Sequence, residues 1–309
     1  MTDKAILLAG PTGSGKSALA LEIAELIDGA IVNADSMQVY RELKLLSARP
    51  SAEDEARVPH HLYGVMTAGD QCSVGRWLRM VEPALIEVRG AGRTPVFVGG
   101  TGLYLKALTE GLAPVPEIPL EIKTQAAELV AFLKPDEFHR RLSERDPEMA
   151  ARLNPSDSQR VRRAWEVVEA TGVSLAQWQA VEHSEPLIPE QDTMRLILDP
   201  PREAVYARCD ARFDAMIEAG ALAEVEALGV LGLDPELPIM KALGMPELSA
   251  YLAGELPLEQ AVEHAKTATR RYAKRQSTWF RNQMPGWQRI NAQYLESFKE
   301  KILSFIRNS

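Results

Sequence analysis

Residues 10–17 read Gly-Pro-Thr-Gly-Ser-Gly-Lys-Ser, a complete G-x-x-x-x-G-K-[ST] element. A short apolar run, Lys4-Ala-Ile-Leu-Leu-Ala9, leads into it. A segment with helical spacing leaves it, with Leu19, Ile23, Leu26 and Ile27 on one side. Strand, glycine-rich loop and helix in that order leave few folds open. The glycines let backbone N–H groups turn inward as an anion nest, and the helix N-terminus adds partial positive charge. The residue types predict a phosphate site from Gly10, Pro11, Thr12, Gly13, Ser14, Gly15, Lys16 and Ser17. Lys16 can reach the terminal phosphates, and the Ser17 hydroxyl is placed to hold Mg²⁺.

The rest of the chain supports an α/β fold. Ile31–Ala34, Thr94–Val98 and Arg195–Leu198 read as further buried strands, and a last candidate lies near Trp287–Ile290. Helical stretches such as the one containing Pro83–Val88 alternate with them, which predicts a parallel sheet covered on both faces. Ala113-Pro-Val-Pro-Glu-Ile-Pro119 is a Pro-rich hinge, residues from about 120 to 180 carry helical patterning only, and Glu185-Pro-Leu-Ile-Pro189 closes that segment. The expected fold is therefore a P-loop NTPase-like parallel-sheet core, residues 1–112 with 190–309, carrying a helical insertion at 113–189.

Two omissions narrow the chemistry. An ATPase or GTPase of this class holds Mg²⁺ through an Asp that ends an apolar strand. Here Val96-Phe-Val98 runs into Gly99-Gly100-Thr101-Gly102, and no Asn-Lys-x-Asp guanine-reading element occurs. The chain has a diphosphate cradle without the usual hydrolysis apparatus. The loop does not say which phosphate ester binds. A small-molecule ATP-dependent kinase, or an RNA-binding protein with a vestigial nucleotide site, stays open on the residues alone.

The net charge, 35 basic against 43 acidic residues or −8, argues against a nucleic-acid partner if taken as a total. The distribution argues otherwise. From His264 to Leu295 there is no Asp or Glu, while Lys266, Arg270, Arg271, Lys274, Arg275, Arg281 and Arg289 are interleaved with Tyr272, Trp279, Phe280 and Trp287. Read as one basic helix, this stretch is a phosphate-contacting surface. Cys72 and Cys209 are the only cysteines, which excludes a disulfide framework or a four-cysteine zinc site and reads as two reduced cytosolic thiols. No apolar run approaches the length of a membrane helix, so a cytoplasmic protein with no membrane partner is expected. His60 and His61 read as a structural pair, and Trp165 and Trp178 as packing residues.

Several short stretches become informative together: Asp35-Ser-Met-Gln-Val-Tyr40, Val58-Pro-His-His-Leu62, Val98-Gly-Gly-Thr-Gly-Leu-Tyr104, Asn154–Arg163 and Thr269–Arg281. With Gly10–Ser17, this ordered set resembles bacterial tRNA dimethylallyltransferase, also called tRNA isopentenyltransferase, across nearly the whole chain. The resemblance implies transfer of a dimethylallyl group from dimethylallyl diphosphate to N6 of the adenosine 3′ of a tRNA anticodon, with Mg²⁺ required and diphosphate released. It implies a monomer whose partner is the anticodon stem-loop.

It also implies roles for particular residues. Asp35 is the carboxylate near N6 and the proposed general base, and Ser36, Met37 and Gln38 line the target base, where a Gln amide offers both donor and acceptor. Thr101 lies near the bridging oxygen of the diphosphate and belongs to the tRNA-contacting set, and Arg208 points at the diphosphate. Lys123, Gln159, Arg160, Val161, Arg162 and Arg163 face tRNA from the insertion, as do Arg270, Arg271, Lys274 and Arg275 from the basic helix. Three positions depart from the family pattern. Ser47-Ala-Arg-Pro50 stands where Gly-Thr-Ala-Lys-Pro is usual, Met245 replaces an aromatic, and Gly13 replaces an alanine, a change harmless to a phosphate loop.

Overall fold

The computed structural model describes residues 3–290 and 295–307. It resolves into two compact units. One comprises the chain up to Thr109 and from Leu187 onward; the other is Glu110–Pro186, where the sequence reading sets 113–189.

In the first unit the order is β1 (Ala5–Ala9), α1 (Lys16–Leu26), β2 (Gly29–Asn33), α2 (Ala52–Arg57), β3 (His60–His61), α3 (Val74–Gly90), β4 (Thr94–Gly99) and α4 (Gly102–Glu110). The second unit contributes α5 (Leu120–Phe132), α6 (Pro135–Arg145), α7 (Pro147–Arg152), α8 (Ser158–Thr171) and α9 (Leu175–Ala180). The first unit resumes with β5 (Thr193–Leu198), α10 (Arg202–Glu218), α11 (Ala221–Val230), α12 (Met245–Leu252), α13 (Leu258–Gln283), β6 (Gln288–Ile290) and α14 (Leu295–Arg307).

The six strands form one all-parallel sheet in the order β3-β2-β4-β1-β5-β6. Ile6 pairs with Val96 on one side of β1 and with Met194 on the other. β1, β2 and β4 are buried along their whole length, which is why they read as continuous apolar runs. Alternate residues feed two cores. Leu7, Val32, Phe97 and Ile197 pack on the face that carries Trp77, Leu105 and Phe280. Ile6, Leu8, Ile31, Val96 and Leu196 pack on the opposite face with Leu19, Ile23 and Ile302. The P-loop NTPase-like parallel core expected from the sequence is therefore present.

Two features depart from the sequence reading. His60 and His61 form a two-residue edge strand beside Ile31 and Val32, too short to leave a periodic signal. The basic stretch 264–295 is not one helix. α13 stops at Gln283, before Pro285-Gly286, and Arg289 sits on edge strand β6. Residues 291–294 of that stretch lie outside the described residues.

The second unit has its own core, in which Phe138, Leu142, Val161, Ala164 and Trp165 meet. Trp178 is half-buried against the same cluster, so both insertion tryptophans are packing residues.

Candidate active site

The phosphate loop leaves β1 at the carboxyl end of the sheet, between the neighbours β4 and β5, where open α/β folds place ligands. Gly13 and Gly15 both take positive φ, +76° and +93°, which lets successive amides face the same way. The loop is braced from two helices. Thr12 N donates to Gln276 Oε1 of α13 at 2.8 Å, and Gln276 Nε2 donates to Gly100 O at 2.9 Å. From α10, Arg208 Nε donates to Gly13 O at 2.7 Å, and an Arg212 guanidinium N–H donates to Thr12 Oγ1. Cys209, buried between those arginines, brings its Sγ within 3.5 Å of Thr12 O. A Cβ built on Gly13 would lie 2.7 Å from that sulfur and 3.0 Å from Val205 O. Glycine at position 13 thus suits both its backbone conformation and its close neighbours.

Lys16 is half-buried beside the loop, with Nζ 3.4 Å from Pro11 O. Burial pushes its ammonium down to about 8; Asp35 opposes the shift and Arg212 adds to it. Burial also lowers the Arg212 guanidinium from its usual value. The site thus concentrates positive charge that lacks hydration, a setting in which an anionic ligand is held strongly.

Across the site, Asp35 follows β2 and is fixed by Asn33. Asp35 N donates to Asn33 Oδ1 at 2.8 Å, while Asn33 Nδ2 donates to Asp35 O and to Leu62 O. Trp77 clamps the same turn through an indole N–H to Asn33 O at 2.9 Å, and its ring stacks on Tyr104 at 4.6 Å. Asp35 Oδ1 accepts from Met37 N at 2.9 Å, an Asx turn that leaves Oδ2 for a ligand. Gly100 approaches closely: a Cβ there would lie 2.3 Å from Gln276 Nε2 and 3.3 Å from Asp35 Oδ2.

Two predicted contacts are engaged internally. Thr101 Oγ1 accepts from Ser36 N at 3.0 Å and donates to Ser36 Oγ at 3.3 Å, so it ties the β4 loop to the Asp35 turn. Gln38 Nε2 donates both hydrogens to Ser47 O and Ala48 O, which leaves only its oxygen for a base edge.

A cavity of about 320 Å³ joins the two sides. Thr12 of the loop, Asp35, Ser36 and Met37 of the turn, Arg212 of α10, and Tyr272 and Arg275 of α13 all line it. Arg212, Gln276 and Tyr272 were not singled out as site residues from the sequence. The available signal was helical spacing. Arg208 and Arg212 share a face at i,i+4, and Gln276 is a polar residue on the buried Thr269–Ala273–Phe280 stripe of α13.

The basic run divides in function. Lys266 pairs with Asp214 at 2.7 Å, Arg270 with Asp210 at 2.6 Å and Arg289 with Asp199 at 2.7 Å. Arg271, Lys274, Arg275 and Arg281 are exposed with no acidic partner among the described residues, and Arg275 lies over the Tyr272 ring.

In the insertion, Gln159, Arg160 and Arg163 are exposed and Lys123 is half-buried. Arg160 pairs with Asp157 at 3.3 Å, and Arg162 pairs with Glu166 at 2.8 Å. Val161 is 1% exposed and belongs to the insertion's core. Its side chain is not available to RNA as the resemblance implies, because at 3.6 residues per turn Val161 shares the inward stripe of α8 with Ala164 and Trp165.

Comparison with known proteins settles the family. A family model described as IPP transferase matches residues 38–283. The chain belongs to the IPP transferase family. A second model, isopentenyl transferase, matches residues 3–61. A tRNA dimethylallyltransferase of Rhodospirillum rubrum is 52% identical over 303 residues, covering 98% of this chain and 93% of the relative. One from a Bradyrhizobium species is 54% identical, covering 92% of each chain. The solved tRNA isopentenylpyrophosphate transferase of Bacillus halodurans superposes with a TM-score of 0.71 at 29% identity, covering 99% of this chain and 98% of that one. A eukaryotic dimethylallyltransferase, solved acting on tRNA, gives a TM-score of 0.74 at 28% identity over 90% of this chain and 69% of that one. The resemblance drawn from the sequence motifs is borne out. Among the described residues no helix is long and apolar enough to cross a membrane.

Proposed function

We infer that this IPP transferase moves a dimethylallyl group from dimethylallyl diphosphate to N6 of the adenosine 3′-adjacent to a tRNA anticodon. The names of its relatives support tRNA prenylation. The observation that carries the reading is that Thr12 of the phosphate loop and Asp35 face one cavity, with Arg275 of the basic helix at its margin.

The residues divide the work. The backbone amides of Gly13 and of residues 15–17, with Lys16 and Arg212, take the diphosphate. The target adenosine leaves the loop stack, which costs a few kcal/mol and less in a loop than in a duplex. Its N6 attacks the allylic carbon as the carbon–oxygen bond breaks, and the electron pair leaves with diphosphate. Asp35 Oδ2 faces the nitrogen as it becomes cationic and takes its proton. Pre-aimed amides and cations on the leaving-group side stabilise the charge that departs. The exposed Ser17 hydroxyl at the start of α1 fits a Mg²⁺ ion whose remaining ligands are phosphate oxygens and water, and that ion would neutralise diphosphate charge. The enzyme works as a monomer in the cytoplasm.

The test is transfer of label from radiolabelled dimethylallyl diphosphate to an unmodified anticodon stem-loop, with ATP as the control donor. Label in RNA supports the reading. ATP turnover without RNA labelling would replace it with a kinase.

A further inference from the structure

Glu224 lies in the first turn of α11, the helix that follows the cavity-lining Arg212, Phe213 and Met216 of α10. Its carboxylate accepts three consecutive backbone N–H groups: Lys44 and Leu45 at 2.7 Å and Leu46 at 2.9 Å. Convergent amides of this kind form an anion nest, and here a side chain of the same protein fills it. The turn that follows is tight. Ala48 N donates to Leu45 O, Arg49 N donates to Lys44 O, and Ala48 takes φ +52°, a conformation that non-glycine residues rarely adopt. The next two carbonyls, of Ser47 and Ala48, hold the amide of Gln38. Leu43, Leu46 and Ser47 line the same cavity as Asp35 and Met37.

A chain of contacts therefore runs from Glu224 through the amides of 44–46 and the carbonyls of 47–48 to the Gln38 side chain and its neighbours in the Asp35 turn. The diphosphate loop is anchored separately, by Gln276, Arg208 and Arg212.

We propose that Glu224 is a positioning residue that sets the base-side wall of the cavity, and with it RNA affinity, without touching either substrate. The proposal rests on the prenyl-transfer reading. It accounts for the departure at Ser47–Pro50. The nest and the Gln38 clamp use backbone atoms of 44–48, so the side chains there can change while the wall keeps its shape. Because the two sides of the cavity have separate anchors, the effect is one-sided.

The experiment uses the full chain with Glu224→Ala and Glu224→Gln. The expected result for Glu224→Ala is a KM for the anticodon stem-loop raised about tenfold, the part of the three lost charge-assisted hydrogen bonds that water does not replace, with KM for dimethylallyl diphosphate and affinity for inorganic diphosphate held within about twofold. The amides of 44–46 lose protection from hydrogen exchange. Glu224→Gln keeps one acceptor oxygen and falls between the wild type and Glu224→Ala. Should Glu224→Ala fail to fold, Glu224→Gln carries the same RNA-over-donor asymmetry. An unchanged RNA KM despite lost protection at 44–46 overturns the proposal. So does an equal loss in both substrates with a lowered Tm, which would mark a general structural role. A wild-type protein that transfers no label refutes the prenyl-transfer reading instead.

Discussion

Gln276 is the contact whose disturbance can be worked out furthest. It is 6% exposed, and its amide bridges Thr12 N–H and the Gly100 carbonyl at 2.8 and 2.9 Å. Gln276→Glu keeps the oxygen that accepts from Thr12 N–H. It replaces the donor toward Gly100 O with an acceptor. As a carboxylate, the new group leaves that carbonyl unpaired and repels it, at a cost of roughly 3 kcal/mol when an unpaired carbonyl and an uncompensated charge are taken together. As a neutral acid, it donates to Gly100 O and restores both bonds.

The introduced carboxyl therefore has a folded-state pKa above its unfolded value. Between those two values the folded protein binds the extra proton, so stability falls by about 1.4 kcal/mol per pH unit as pH rises, then levels off. Thermal unfolding at pH 5.5 and pH 8 measures this. Relative to wild type, Gln276→Glu is expected to lose several degrees more at pH 8 than at pH 5.5, at ~2–4 °C per kcal/mol for a chain of this size class. Gln276→Met, which loses both bonds without gaining a charge, is expected to show equal deficits at both values. If Gln276→Glu tracks wild type at both pH values, the bridge carries no weight and the reasoning fails.

Three further outcomes are expected. Asp35→Asn should slow single-turnover transfer by about two to three orders of magnitude, the size of lost general-base catalysis, while both substrates still bind; rescue by raised Mg²⁺ would remove Asp35 from that role. Lys16 titrates near 8, so the free enzyme loses its ammonium, and with it diphosphate affinity, as pH rises through that value. Diphosphate restores the charge, so calorimetry at pH 8.5 in two buffers of different ionisation heat should show proton uptake that Lys16→Ala lacks; equal uptake by both would contradict the assignment. RNA binding should be salt-dependent despite the −8 charge: with about four unpaired cations on α13, the log–log slope is expected near −3 to −4, and a flat response would leave α13 as a solvated face.

The sequence made the phosphate site legible because its recognition is local. Eight contiguous residues carry it, and a strand and a helix flank it. The parallel sheet was legible for a related reason, since strands buried on both faces leave unbroken apolar runs. What stayed hidden depends on partners distant along the chain. Thr12 meets Gln276 across 264 residues and Arg212 across 200, and Glu224 meets Leu45 across 179. No spacing rule reaches that far. The error at Val161 has the opposite origin. A contiguous motif was carried over whole, although an α-helix presents only part of any five-residue run to one side. Arg270 and Lys266 illustrate the same limit, because the acids that hold them belong to α10, outside the acid-free run that drew attention to them.

The packing of Gly13 against Cys209 has a consequence for how this sequence can change. A side chain at position 13 meets sulfur at 2.7 Å, a backbone carbonyl at 3.0 Å and a left-handed backbone. Replacement of Gly13 therefore requires the Cys209 thiol and the Val205 carbonyl of α10 to give way, on top of a strained backbone. Two positions almost two hundred residues apart are thus coupled, and what one tolerates depends on the side chain at the other.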